Sequence, residues 1–213
     1  MENNLRFKDS PYGQRFRIDA TPWLKAPLEA QQDIETQEVI ICAAAQMGKT
    51  VLIQGGLAWS LSEDPAPTMV VIDTLEAAKD LAENKLNPVL ESCPKLADVM
   101  PQEKTAKKKL RIHFPQAHLL VGPANNSFLR SHSIKRGYGD EVAKWPDGAL
   151  ANFRARAKRF PHRQFVLGST PIEENHDFWL SWLAGTQEEW ALQCQSCGAV
   201  SYTHLTLPTT PYV

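Results

Sequence analysis

The segment Gln46-Met47-Gly48-Lys49-Thr50 follows an apolar run, Val39-Ile40-Ile41-Cys42-Ala43. An apolar strand, a tight turn and a Gly-Lys-Thr that opens a helix form the grammar of a phosphate-binding loop. Backbone N–H groups of such a turn and of the helix N-terminus cradle phosphate oxygens. In that role Ala45, Gln46, Met47 and Gly48 line the cradle, Lys49 reaches the β- and γ-phosphates, and the Thr50 hydroxyl holds Mg²⁺. The common pattern is G-x-x-x-x-G-K-[ST], and Ala43 stands in place of its first glycine. The competing reading is a buried strand running into an amphipathic helix with an exposed lysine.

Three further groups could take part in chemistry. Asp140-Glu141 is a candidate acidic partner for the loop: the Asp in the Mg²⁺ shell, the Glu activating the attacking water. Such a pair normally ends an apolar strand, and Ile134-Lys135-Arg136-Gly137-Tyr138 reads as a poor one. Ser169 and Thr170 follow the apolar run Val166-Leu167-Gly168, which sets two hydroxyls at the carboxyl edge of a sheet, where ligands bind in open α/β folds. They are candidates for sensing the γ-phosphate, against the plainer role of a strand end broken by Pro171. Cys194 and Cys197 form a C-x-x-C pair, half of a zinc site. His204 is the next candidate ligand, and two thiolates alone do not close a tetrahedron.

These groups need a scaffold of alternating strands and helices. Val39–Ala43 reads as a buried strand and Lys49–Leu61 as a helix with Val51, Leu52, Leu57, Ala58 and Leu61 to one side. Thr68–Asp73 is a second strand, and Leu75–Leu90 a second helix disturbed near Pro88. Residues 91–108 form a polar excursion. Leu110–Phe114 and His118–Gly122 are short strands, Asn125–Ile134 a loop or short helix, Asp147–Phe160 a helix, Gln164–Gly168 a strand and His176–Leu183 a short helix. The repeated β-α order predicts an α/β fold, a mainly parallel sheet with helices on both faces. Residues 1–38 read as an N-terminal arm, with a short helix over Leu28–Ile34; 39–190 as the central domain; 191–200 as the partial Cys-pair segment. The tail 201–213 lacks Asp, Glu, Lys and Arg and is expected to stand outside the fold.

Composition narrows the function classes. The chain has 213 residues, 43% hydrophobic and 22% charged, with a formal net charge of −1. That suits a globular domain, and no global field advertises nucleic acid. Local contact would fall to Lys104–Lys109 or Arg154–Arg159, runs that also read as solvated faces. There is no apolar run near the length of a membrane span and no apolar signal core at the N-terminus. Cys42 and Cys93 read as free thiols, which fits a reducing compartment.

Taken in order, the segments resemble the ATPase part of phage terminase large subunits of the lambdoid GpA type. The resemblance rests on Ser10-Pro11-Tyr12-Gly13, Thr21-Pro22-Trp23-Leu24, Ala45-Gln46-Met47-Gly48-Lys49-Thr50, Asp140-Glu141-Val142, Gly168-Ser169-Thr170-Pro171 and Cys194-x-x-Cys197-Gly198. It implies a P-loop NTPase fold and a motor using ATP and Mg²⁺ to move double-stranded DNA into a capsid. In this reading Lys49 and Glu141 are catalytic, Thr50 and Asp140 hold Mg²⁺, and Ser169 and Thr170 couple hydrolysis to movement. The implied partners are DNA, the terminase small subunit, the portal and procapsid, and further copies of the subunit, in the host cytoplasm. No acidic cluster suited to the family's nuclease follows Gly198, so cleavage is not expected of this polypeptide. Two alternatives stay open: a helicase-like ATPase, and a non-catalytic nucleotide-binding fragment serving assembly.

Overall fold

The computed structural model describes residues 5–7, 15–101, 107–108, 110–170, 173, 175–193, 198 and 200–201. The strands are β1 (Glu38–Cys42), β2 (Thr68–Ile72), β3 (Lys107–Lys108), β4 (Arg111–His113), β5 (His118–Pro123), β6 (Arg136–Gly139), β7 (Gln164–Ser169), β8 (Leu192–Gln193) and β9 (Val200–Ser201). The first seven form one sheet in the order β1-β7-β6-β2-β5-β4-β3, and β8 pairs with β9 separately. From β1 to β5 every neighbour is parallel; β4 and β3 close the far edge in antiparallel fashion.

The helices are α1 (Lys25–Ala30), α2 (Lys49–Glu63), α3 (Leu75–Asp80), α4 (Asn87–Ser92), α5 (Asn126–Leu129), α6 (Ala149–Ala155) and α7 (Asp177–Leu183). The sheet buries both faces, as a parallel sheet must. Val70, Val121 and Val166 point into one core with Leu28, Leu52, Leu57 and Leu90 from α1, α2 and α4. Met69, Val71, Leu120, Phe165 and Leu167 point the other way, against Leu129, Leu150, Phe153 and Phe178 from α5, α6 and α7. Alternate residues of the same strands therefore serve opposite helix layers.

Four sequence expectations change in detail. The first helix lies at Lys25–Ala30, because Leu24 and Leu28 are the buried positions and Ile34 is exposed. The segment from Leu75 continues to Ser92, and its irregularity is a π-helical turn at Leu81–Leu86, ahead of Pro88. Helix α6 is shorter than expected, Ala149–Ala155, with turns after it.

The fourth concerns β6. Its sequence, Arg-Gly-Tyr-Gly, reads poorly as a strand, yet all four residues are buried at the centre of the sheet. Phe153 and Phe165 pack directly on the backbone at Gly137; a Cβ there would lie 2.5 Å from the Phe165 ring. Arg136 is neutralised at the strand's start by Asp64 at 2.6 Å, donates to Gln164 Oε1 at 2.7 Å and stacks over Trp59. Burial would raise the Asp64 carboxyl, but Lys135 and Arg136 outweigh it and hold the group below its usual range. The Tyr138 hydroxyl bonds to Ser60. Neighbouring side chains thus supply the apolar surface that β6 itself lacks.

Candidate nucleotide site

The carboxyl ends of β1, β7 and β6 lie side by side, so their loops converge. After β1 the chain enters the loop Ala43–Gly48. The ladder to β7 extends into it, Ala43 N–H donating to the Ser169 carbonyl at 3.1 Å. Gln46 and Gly48 both adopt left-handed backbone, φ 63° and 85°. Glycine is favoured at 48 by the positive φ, and a Cβ there would also lie 2.9 Å from the end of the Leu24 side chain. Helix α2 starts at the next residue, so its first free N–H groups face the loop's concavity.

Lys49 is buried beneath that loop. Its ammonium donates to the Ala43 carbonyl at 3.0 Å, the Ala44 carbonyl at 2.8 Å and the Thr170 hydroxyl at 3.1 Å. A cation held by two carbonyl dipoles and a hydroxyl sits where an anion can displace the carbonyls. Thr50 donates its hydroxyl to Asp140 Oδ2 at 3.0 Å. Asp140 is only 4% exposed. Burial pushes its carboxyl above the ordinary range, opposed by the Thr50 hydrogen bond and raised further by the Glu141 charge.

Glu141 caps the end of β6 with φ 51°, left-handed for a residue with a side chain. That turn carries its carboxylate out of the core. Its N–H bonds back to Asp140 Oδ1 at 3.1 Å, and its carboxylate meets Lys144 Nζ at 3.1 Å. The Glu141 hydrogen bond raises the Lys144 ammonium above its usual value. Ser169 and Thr170 divide their roles. The Ser169 hydroxyl is fully buried; it accepts from the Ala143 N–H at 3.0 Å and donates to the Thr170 carbonyl at 3.1 Å. Only Thr170 touches Lys49. The Ser169 hydroxyl is bonded within the turn that follows Glu141.

Oxygen donors suit Mg²⁺, which takes one or two carboxylates and keeps several waters. The paired Thr50 hydroxyl and Asp140 carboxylate offer that donor set. No group of three or more His, Cys, Asp or Glu among the described residues could hold a metal ion. Cys194 and Cys197, with His204 beyond them, fall outside the described residues. Cys42 and Cys93 are free, and burial pushes the Cys42 thiol up despite the nearby Lys49 charge.

The sequence matches the family described as phage terminase large subunit gpA, ATPase domain, over residues 10–208. The chain belongs to that family. Its fold resembles the crystal structure of the HK97 bacteriophage large terminase, with TM-score 0.65 and 18% identity over 84% of this chain and 38% of that one. The Thermus phage P74-26 large terminase ATPase domain gives TM-score 0.57 at 17% identity, covering 81% of this chain and 75% of that one. A large terminase from a thermophilic bacteriophage, in complex with ATP-gamma-S, gives TM-score 0.55 at 15% identity, covering 76% of this chain and 42% of that one. No curated protein matches the sequence. This terminase ATPase domain thus spans under half the length of the HK97 protein and of the ATP-gamma-S-bound terminase. Among its described residues no helix is long and apolar enough to cross a membrane.

One feature beside the candidate site is not legible in the sequence. Beside the loop lies a cavity of about 450 Å³ whose lining includes Phe16, Trp23, Met47, Val51, Asn84 and Pro88. Residues that read as an arm supply one wall, and the π-helical turn and α4 another. The Trp23 indole N–H donates to the Met47 carbonyl at 3.0 Å, tying that wall to the phosphate loop. The only sequence signal is the aromatic pair Phe16 and Trp23, with no periodicity to show which core they join.

Proposed function

We propose that this domain binds ATP with Mg²⁺ at Lys49, Thr50 and Asp140, hydrolyses it with Glu141, and drives double-stranded DNA into a phage capsid. The single observation that carries the reading is the convergence of Lys49, Thr50, Asp140 and Thr170 through direct hydrogen bonds across three adjacent strand ends.

In this mechanism phosphate oxygens replace the Ala43 and Ala44 carbonyls as acceptors for the Lys49 ammonium. The α2 N-terminus and the loop N–H groups hold the same oxygens. Bound Mg²⁺ neutralises phosphate charge, and Thr50 and Asp140 are the residues that would hold it. Glu141 orients the attacking water and accepts its proton. Thr170 follows Lys49 and reports the state of the phosphate to β7. The cavity between Trp23 and Pro88 takes the nucleoside, its size being within the range of small-molecule sites.

The reading also implies work in an assembly: copies of this subunit, the terminase small subunit and the portal of a procapsid, in the host cytoplasm. A purified protein should show Mg²⁺-dependent ATP hydrolysis that duplex DNA stimulates. Absence of hydrolysis under both conditions, with ATP still bound, would favour a non-catalytic fragment.

A further inference from the structure

Between Glu103 and Asp140 the chain has no Asp or Glu, yet it has eight lysines and arginines and three histidines. The whole protein has a formal net charge of −1, so this stretch is a strong local exception. The fold collects its described members toward the edge of the sheet where the parallel strands begin, opposite the carboxyl ends that carry Lys49 and Asp140. Arg111 and His113 lie on β4, and His118 opens β5 directly opposite His113. Arg130 and His132 lie in the loop that leads from α5 to β6. The His118 and His132 rings are 6.1 Å apart.

The second basic run meets the first there. Ile134 N–H donates to the Arg156 carbonyl at 3.1 Å, and the Arg156 guanidinium donates to the Arg130 carbonyl at 3.4 Å. Lys158 and Arg159 follow, both exposed. Other cations nearby are already neutralised: Lys135 and Arg136 by Asp64, Arg154 by Glu38. For the remaining group, no ion pair with a carboxylate occurs among the described residues. Burial, and then the neighbouring His132, His113 and Arg111, press the His118 imidazole below its usual value, so the fixed charges of the cluster are its arginines. Two buried polar atoms in the cluster, His118 Nε2 and Arg156 Nε, have no hydrogen-bond partner among the described residues.

Like charges gathered without counter-charges repel one another and focus a positive potential outward. The polyanion whose charge is regular, dense and independent of sequence is the duplex DNA backbone, with about one negative charge per 1.7 Å of axis. We propose that Arg111, His113, His118, Arg130, His132 and Arg156 form a surface that grips the phosphate backbone of duplex DNA, on the side of the sheet away from the nucleotide. This rests on the motor reading and extends it. The two ligands then sit at opposite ends of β6.

The test is binding of a fluorescent mixed-sequence duplex across a salt series. Three proteins are compared: wild type, the triple variant Arg111→Gln/Arg130→Gln/Arg156→Gln, and the matching Arg→Lys triple. The Gln triple should bind at least about tenfold more weakly, and its log–log salt slope should fall by roughly 2–3, about one for each phosphate no longer neutralised. The Lys triple should keep both, and DNA-free ATP turnover should be equal in all three. Wild-type affinity and slope in the Gln triple would overturn the proposal. So would equally weakened binding in the Gln and Lys triples, which would mean that shape rather than charge was removed. Tighter binding of poly-glutamate than of duplex would overturn it too, assigning the surface to an acidic protein instead. Charge-dependent duplex binding without any ATP turnover would uphold the surface and refute the motor; turnover without duplex binding would refute the surface and leave only the nucleotide site standing.

Discussion

The Thr50 hydroxyl donates to Asp140 Oδ2 at 3.0 Å, joining the first turn of α2 to the end of β6 across 90 positions of sequence. The bond sets two oxygen donors side by side in a buried place. It also leaves a carboxylate where burial opposes its charge, and stability should show it. The Asp140 carboxyl is raised above its ordinary value of 3.8. A raised pKa means that the native state holds the proton more firmly than the unfolded state. The stability this lends is present below the unfolded value and is lost as pH rises through the folded value. Asp140→Asn should therefore raise the Tm of the nucleotide-free protein at neutral pH. The gain should vanish as pH falls below the usual carboxylate range, and Mg²⁺-dependent ATP binding should weaken. Thermal melts from pH 3 to 8 check this; a gain that is constant with pH would contradict it.

Ser169 should behave as a positioning residue. Its hydroxyl accepts the Ala143 N–H inside the turn that carries Glu141. Ser169→Ala leaves that buried donor unpaired, at a cost of about 1–3 kcal/mol in stability. Turnover should fall about tenfold with ATP affinity kept. Combined with Glu141→Gln, which should bind ATP without hydrolysing it, Ser169→Ala should cost no further activity while lowering Tm as before, since the two act through one carboxylate. Single and double variants, read by kcat, KM and Tm, test this.

Trp23 should contribute to nucleotide affinity from outside the phosphate loop. Trp23→Phe keeps an aromatic wall but removes the hydrogen bond to the Met47 carbonyl, worth about 1 kcal/mol, together with part of the ring's contact area. ATP should bind roughly fivefold more weakly, with kcat little changed. Trp23→Ala, which also opens the cavity wall, should weaken binding more. Equal affinities in all three proteins would remove the N-terminal segment from the site.

Much of this architecture is legible in the sequence because strands β1, β2 and β7 are continuous apolar runs and Lys49 opens a helix directly after a turn. Strand β6 is not, because its apolar surface comes from other elements: Phe153 and Phe165 press on Gly137, and Asp64 neutralises Arg136. Single-segment periodicity does not contain that information. The same holds for Ser169, whose type and place at a strand end suit a phosphate ligand, while its partner, the Ala143 N–H, is visible only in three dimensions. The cavity wall around Trp23 is hidden for a related reason, since an irregular segment has no period to show which face it buries.

Gly137 gives that point a number to measure. A Cβ at 137 would lie 2.5 Å from Phe165 and 2.7 Å from Phe153. Gly137→Ala should cost about 1–3 kcal/mol through overpacking, a fall of several degrees in Tm. Gly148→Ala, at a positive φ but with nothing within 4 Å of the added carbon, should cost only the backbone strain. An unchanged Tm in Gly137→Ala would contradict the account of β6.

In the proposed mechanism Lys49 sits at the γ-phosphate during hydrolysis. The most direct measurement is steady-state ATP turnover with Mg²⁺ by wild type and Lys49→Ala, both confirmed folded by thermal melts. Loss of the ammonium removes charge stabilisation where negative charge develops, so turnover should fall by on the order of 10²–10⁴. Turnover within a few-fold of wild type in Lys49→Ala would contradict the assignment of this loop as the nucleotide site.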